Sequence, residues 1–171
     1  FGGMIATSLA AEHPKRILSL AIGASSSADY AGFRVHPTLL PKLLIALRAG
    51  RFQDELLKAV VPDMVMRSWG PEIQTSWQEI LGLEGFPLLT TLKHLRLSVT
   101  HRIKGRLDKG DYPVLFIHGS MDRFVPVQNS VRMQRLVPRS QVKIIKGAGH
   151  ELALGFEHEV SKVLCEFADI P

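Results

Sequence analysis

The clearest indication of the architecture is the stretch Pro113-Val114-Leu115-Phe116-Ile117-His118-Gly119, an apolar run that ends at a glycine. A run of this length predicts a strand. A helix is predicted at 127–136, a second strand at 141–145 and a closing helix at 156–167. Strands that alternate with helices in this way are typical of parallel sheets with right-handed crossovers. The sequence therefore predicts an α/β fold.

The start of the chain predicts one more helix and one more strand. Apolar residues at helical spacing indicate a first helix that ends before Pro14. Residues 17–24 are almost continuously apolar, which predicts a strand buried on both faces of a parallel sheet. The serine-rich residues 25–29 predict a loop.

The middle of the chain is predicted to be a helical cap inserted between two strands. Leucines at helical spacing indicate a helix closed by Gly50, and a second helix is stopped by Pro62. Pro71 is predicted to open a third helix, and a fourth runs from Leu88 to Val99. Trp69 and Trp77 are expected in the cap core. The predicted domains are 1–29 as the first part of the core, 30–98 as cap and 99–171 as the rest of the core.

Composition excludes several classes of protein. The chain has 171 residues, 46% hydrophobic and 22% charged, which is ordinary for a globular domain. No apolar run approaches the roughly 20 residues that cross a bilayer. The net charge of +5 is scattered, and the densest basic stretch, 101–106, lacks interleaved aromatic residues. It is interpreted as a solvated linker, and no nucleic-acid partner is expected. The single cysteine, Cys165, is predicted to be a buried structural thiol.

Two polar residues follow consecutive predicted strands. Asp122 comes after the strand that ends at His118, and His150 comes after the next strand. Each is approached through glycine, which permits a sharp turn. Because functional groups gather beyond the carboxyl ends of parallel strands, the two side chains are expected to lie together. A histidine can then move protons while a buried carboxylate orients it. Taken singly, Asp122 could be a helix N-cap and His150 a turn residue.

The first six residues are Phe1-Gly2-Gly3-Met4-Ile5-Ala6. They match the downstream half of G-x-S-x-G, the strained turn that presents a nucleophile above a sheet. A flexible terminus or an ordinary amphipathic helix would explain the same residues.

Taken together, these features resemble the C-terminal half of an α/β-hydrolase. The matching segments are 1–6, 12–17, 113–119, Asp122 with Val125-Pro126, and 147–150, in the family's order. The resemblance covers nearly the whole chain apart from the cap. It implies Asp122 as the acid and His150 as the base of a triad. It also implies that the backbone N–H of Phe1 is an oxyanion-hole donor.

The resemblance also implies that the nucleophile precedes Phe1. We favour serine, because Phe-Gly-Gly-Met is similar to the esterase and lipase type of elbow. Epoxide hydrolases and haloalkane dehalogenases use aspartate, with a different residue typically following it. On this interpretation the chain lacks an N-terminal half that completes the core. We therefore expect an uncovered strand edge, poor stability and little activity for these residues alone.

No cofactor or metal is expected. Leu154 stands where H-E-x-x-H needs its second histidine after His150 and Glu151. His13 is expected to be exposed. His118 lies at a strand end near the site and could line it, although packing is the default expectation. The cap-region histidines, His36, His94 and His101, show no evident partners in the sequence.

The predicted function is that of a serine hydrolase acting on carboxylic esters or related acyl substrates. The leucine-rich cap favours an apolar acyl or alcohol group. The alternative is a non-enzymatic truncated product that uses the remaining fold for binding or complementation. The upstream coding sequence distinguishes the two hypotheses.

Overall fold

The computed structural model describes residues 1–30, 35–85 and 88–168. Its sheet has three parallel strands, β1 at Leu20–Gly23, β2 at Val114–Gly119 and β3 at Ser140–Ile145, in the order β1-β2-β3. Val114 is in register with Leu20 on one side and Ser140 on the other. The predicted parallel α/β architecture is therefore confirmed.

Seven helices accompany these strands within the described residues. They are α1 at Gly2–Glu12, α2 at Leu39–Arg48, α3 at Phe52–Val60, α4 at Asp63–Glu84, α5 at Leu88–Thr100, α6 at Gln128–Leu136 and α7 at Glu157–Ala168. Four of them, α2 to α5, lie between β1 and β2 in the chain. None of these helices is long and apolar enough to cross a membrane.

The central strand β2 organises the packing, because all six of its residues are buried. Phe116, with no exposed surface, belongs to a cluster that includes Ala10 of α1 and Met133 of α6. Ile117 belongs to a second cluster with residues from α3, α4 and β3. Since neighbouring strand residues point to opposite faces, the sheet separates the two clusters. A fully buried phenylalanine contributes roughly 1.5–3 kcal/mol to stability.

The first strand differs from its prediction in length and burial. It begins at Leu20, because the backbone N–H of Leu20 bonds to Pro113 O, immediately before β2. Leu18 has no such neighbour and is 92% exposed. Burial alternates along β1, and Ala21 and Gly23 are exposed. The prediction of a strand buried on both faces is therefore wrong for β1, whereas all six residues of β2 are buried.

Pro71 does not open a helix. It lies inside the 22-residue helix α4, which begins at Asp63. Proline cannot donate the usual helical hydrogen bond, and its ring crowds the preceding residue. The preceding residue here is Gly70, whose lack of a Cβ relieves that crowding. The residues before Gly70 and those after Pro71 therefore form one continuous helix, α4.

Three burial predictions are wrong. Cys165 is exposed, because α7 packs through Val160, Val163 and Phe167 instead. Trp69 is 58% exposed on α4, whereas Trp77 packs against the second cluster. The stretch 101–106 is not simply a solvated linker, since His101 and Ile103 are buried.

The turns that follow β2 and β3 are in close contact. Ser120 N–H bonds to Ile145 O at 3.0 Å, and Met121 N–H bonds to Ala148 O at 2.9 Å. A Cβ placed on Gly119 would overlap the carbonyl oxygens of Ala148 and Gly149. Glycine is therefore required where the two turns meet.

We expect Gly119→Ala to destabilise the chain by about 1–3 kcal/mol, the usual cost of overpacking. Gly82→Ala is the matched control, because a Cβ there would meet nothing within 4 Å. Alanine in this exposed stretch of α4 should stabilise by about 0.5–1 kcal/mol. Urea unfolding of both variants measures the difference. Equal stabilities for the two would contradict the proposed role of Gly119.

Candidate active site

Asp122 lies in the turn after β2, and its side chain is fully buried. One carboxylate oxygen, Oδ1, accepts hydrogen bonds from Phe124 N–H and Val125 N–H, both at 2.8 Å. The other, Oδ2, lies 2.9 Å from His150 Nδ1 and 3.1 Å from His118 Nε2. The turn-stabilising role and the contact with His150 are therefore carried by different oxygens of one carboxylate.

The surroundings of Asp122 favour its ionised form. Burial raises the pKa of this carboxyl group, since a charge loses its hydration there. Hydrogen bonds from His118, His150 and Val125 N–H, together with the charge interaction with His150, act in the opposite direction. The pKa of Asp122 is lowered as a result, so the group is an anion at neutral pH.

His150 is held by the backbone that follows α3. Its own N–H and that of Glu151 both bond to Val60 O, at 3.0 and 3.1 Å. Gly149 lies so close to Val60 O that a Cβ there would stand 2.7 Å from it. The imidazole is 21% exposed and lies 4.8 Å from the Phe124 ring. Because Nδ1 is engaged by Asp122, Nε2 is the nitrogen available to a reacting group.

Arg123 connects this turn to the start of α4. Its guanidinium forms two hydrogen bonds with the carboxylate of Asp63, at 2.8 and 2.6 Å. The hydrogen bond from Arg123 is the main cause that lowers the pKa of Asp63. Both side chains are substantially exposed, so the pair contributes little to stability. Its effect is to place α4 beside the turn that carries Asp122.

A cavity of about 240 Å³ brings His150 and Phe1 together. Its other lining residues come from α1, the loop after β1, α5 and the turn after Asp122: Met4, Ala24, Ser25, Ser26, Val35, Thr91, His94, Ser98, Phe124 and Val125. The ring of Phe1 stacks on that of His94, with centroids 3.7 Å apart. The three predicted site residues thus lie at or directly behind one cavity.

The sequence did not reveal the contacts of His118 and His94. His118 was expected to lie at a strand end near the site, with packing as the default, and its two ring nitrogens face Asp122 and Ser130. The spacing of His118 and Asp122, four residues across a glycine turn, was the available signal. His94 was without an evident partner in the sequence, and its stacking on Phe1 depends on how α5 returns to the core.

The remaining histidines lie elsewhere. His13 is exposed, as predicted, and His36 Nδ1 lies 3.0 Å from Thr38 Oγ1. His101 is buried, and burial lowers its pKa. His158 is exposed on α7. Within the described part of the chain, no group of three or more potential ligands is placed to hold a metal ion.

A larger, separate cavity of about 800 Å³ lies along α3 and α4. Trp69, Ile73 and Trp77 contribute to its apolar wall, and Glu72 and Glu84 also line it. It shares no lining residue with the cavity of His150.

Comparison with known proteins supports the resemblance inferred from the sequence. Residues 1–155 match the family model of the alpha/beta hydrolase fold. Relatives include the sn-1-specific diacylglycerol lipase ABHD11 of Xenopus laevis, 25% identical over 98% of this chain and 55% of that protein. Pimeloyl-[acyl-carrier protein] methyl ester esterase of Edwardsiella ictaluri (strain 93-146) is 24% identical over 98% of this chain and 66% of that protein.

A solved structure shares the fold. Est816, an N-acyl homoserine lactone degrading enzyme, superposes with a TM-score of 0.72 at 24% identity, covering 97% of this chain and 64% of its own. The chain thus spans between about half and two thirds of the length of these relatives. Its parallel sheet and alternating helices match the C-terminal part of that fold. The chain belongs to the alpha/beta hydrolase family.

Proposed function

We propose that this chain is the C-terminal portion of a serine hydrolase that acts on carboxylic esters or related acyl substrates. In this proposal Asp122 is the acid and His150 the base of a catalytic triad. The observation that carries it is the 2.9 Å contact between Asp122 Oδ2 and His150 Nδ1, behind a cavity that Phe1 also lines.

The proposed mechanism follows from the chemistry of these groups. His150 Nε2 takes the proton of the attacking hydroxyl and later returns it to the leaving group. Asp122 holds the tautomer with a proton on Nδ1 and stabilises the imidazolium that forms. In this proposal the nucleophile is a serine that precedes Phe1 in a longer protein. The backbone N–H of Phe1, at the start of α1, donates to the oxyanion, where the helix dipole also favours negative charge.

Two observations support an apolar acyl substrate of modest size. The cavity of His150 measures about 240 Å³ and contains Phe1, Met4 and Phe124. Both relatives named above are esterases or lipases by name.

We also propose that 30–98 form a cap, divided from the core regions 1–29 and 99–171. The stacking of His94 on Phe1 supports a cap that closes over the site.

The alternative is a non-enzymatic product that pairs with another segment. It is favoured by the exposed apolar residues of α1, Ile5 and Leu9, which are 55% and 52% exposed. Such a surface is suited to burial against further structure. The coding sequence ahead of Phe1 decides between the candidates, since an in-frame Gly-x-Ser supports the hydrolase. An unrelated sequence or a start codon there supports the alternative.

The hydrolase proposal predicts labelling of the longer protein by a fluorophosphonate probe, which reacts with an activated serine. His150→Ala should reduce the labelling rate by at least about 10³-fold, because the base is lost. His158→Ala, an exposed histidine on α7, is the matched control and should label normally. Undiminished labelling of His150→Ala would refute the assignment.

Asp122→Asn is expected to lower the catalytic rate by about 10⁴-fold while leaving KM for a short-chain ester nearly unchanged. The amide cannot hold His150 in the required tautomer, although its shape is almost the same. Steady-state hydrolysis of a p-nitrophenyl ester by the longer protein measures both constants. A wild-type kcat in this variant would exclude Asp122 as the acid.

Asp122 should also make stability depend on pH. Because its folded-state pKa lies below the ordinary value of about 3.9, its ionised form stabilises the fold above that pH. This contribution is lost as pH falls through the folded-state pKa. We therefore expect the difference in unfolding free energy between wild type and Asp122→Asn to shrink as pH falls below about 4. Urea titrations of the 171-residue chain test this, and a constant difference down to pH 2.5 would contradict it.

A further inference from the structure

We propose that His118 is a positioning residue for Asp122: it donates the fourth hydrogen bond to the buried carboxylate and so keeps the proton of the triad on His150. The inference rests on the proposed function, in which Asp122 orients His150. It assigns a role to a second histidine, on β2, that need not touch substrate.

The contacts of His118 determine which ring nitrogen carries the hydrogen. Nε2 lies 3.1 Å from Asp122 Oδ2 and 3.0 Å from Val125 O. A carboxylate and a carbonyl only accept, so Nε2 must be the donor. In a neutral imidazole Nδ1 is then an acceptor, and Ser130 Oγ lies 2.7 Å from it. The hydroxyl of Ser130, on α6, can donate to Nδ1, while the two acceptors that face Nε2 fix the tautomer of His118.

The hydrogen bond from His118 completes the set around Asp122. Oδ1 receives Phe124 N–H and Val125 N–H, and Oδ2 receives His150 Nδ1–H and His118 Nε2–H. Four donors fill the roughly four acceptor positions of a carboxylate. Such a group is a poor base, so it does not take the proton from the imidazolium of His150. His118 and Ser130 thereby act on the reaction through Asp122.

Simple packing does not explain His118. Its side chain and that of Ser130 have no exposed surface, and an aliphatic residue would fill this space without two polar nitrogens to satisfy. Both nitrogens are satisfied, one by α6 and one by the turn after β2. Among the described residues, the ionisable groups in contact with Asp122 are His118 and His150. The bond from His118 is also the leading influence that opposes the effect of burial on the pKa of Asp122.

The test uses NMR on the isotope-labelled 171-residue chain and therefore needs no nucleophile. The titration of Asp122 is followed through its carboxyl ¹³C shift, and the tautomer of His118 through its ring ¹⁵N shifts. His118→Met removes the donor, whereas His118→Gln retains an N–H near the position of Nε2. His101→Gln, at a buried histidine away from Asp122, is the control.

We expect wild-type His118 to carry its hydrogen on Nε2. His118→Met should raise the titration midpoint of Asp122 by about one pH unit or more, a tenfold change in its protonation equilibrium. His118→Gln should largely restore the midpoint, and His101→Gln should leave it unchanged. Ser130→Ala should leave the hydrogen on Nε2, because Asp122 and Val125 O still accept from it.

An Asp122 midpoint that is the same in folded wild type, His118→Met and His118→Gln would overturn the proposal and leave a packing role. If His118→Met does not fold, the ¹⁵N shifts still decide. A hydrogen on Nδ1 and none on Nε2 in wild type would refute the proposed hydrogen-bond direction. The hydrolase proposal is tested by a different experiment, the probe labelling of His150→Ala in the longer protein, so the failure of either proposal can be distinguished.

Discussion

The site depends on the burial of one anion. A carboxylate without water needs a donor for each of its lone pairs, and Asp122 obtains four from three parts of the chain. Its own turn supplies two, β2 supplies one through His118, and the turn after β3 supplies one through His150. If any of these segments moved, a charge would be left partly unpaired. The carboxylate therefore holds the end of β2 and the turns after β2 and β3 together through hydrogen bonds.

The helices between β1 and β2 take part in this arrangement. Val60 O, at the end of α3, accepts hydrogen bonds from His150 N–H and Glu151 N–H. Val60 and Val65 also belong to the cluster that packs on Ile117 of β2. The loop that carries His150 is thus bonded to the helical segment as well as to the sheet. The orientation of His150 consequently depends on how the helical segment packs against β2.

The parallel strands and the placement of Asp122 and His150 after them were predictable, because apolar runs and glycine turns can be recognised in the local sequence. Asp122 and His150 were both identified from their positions after apolar strands. The partners of His118 were not, because the sequence gives its position on β2 but not how α6 packs against its ring. The exposure of Cys165 and the path of α4 through Pro71 likewise depended on tertiary packing. The predicted roles of Phe1, Asp122 and His150 remain predictions, although the structure brings the three residues to one cavity.

The stacking of Phe1 on His94 has a consequence for how specificity can be studied. Because the rings are 3.7 Å apart, a substitution at either residue alters the environment of the other. Effects at residues in direct contact do not add, so the two positions have to be varied as a pair in a double-mutant cycle. An exchange at one of the two positions is accordingly expected to require a compensating exchange at the other, with α5 and the start of α1 changing together.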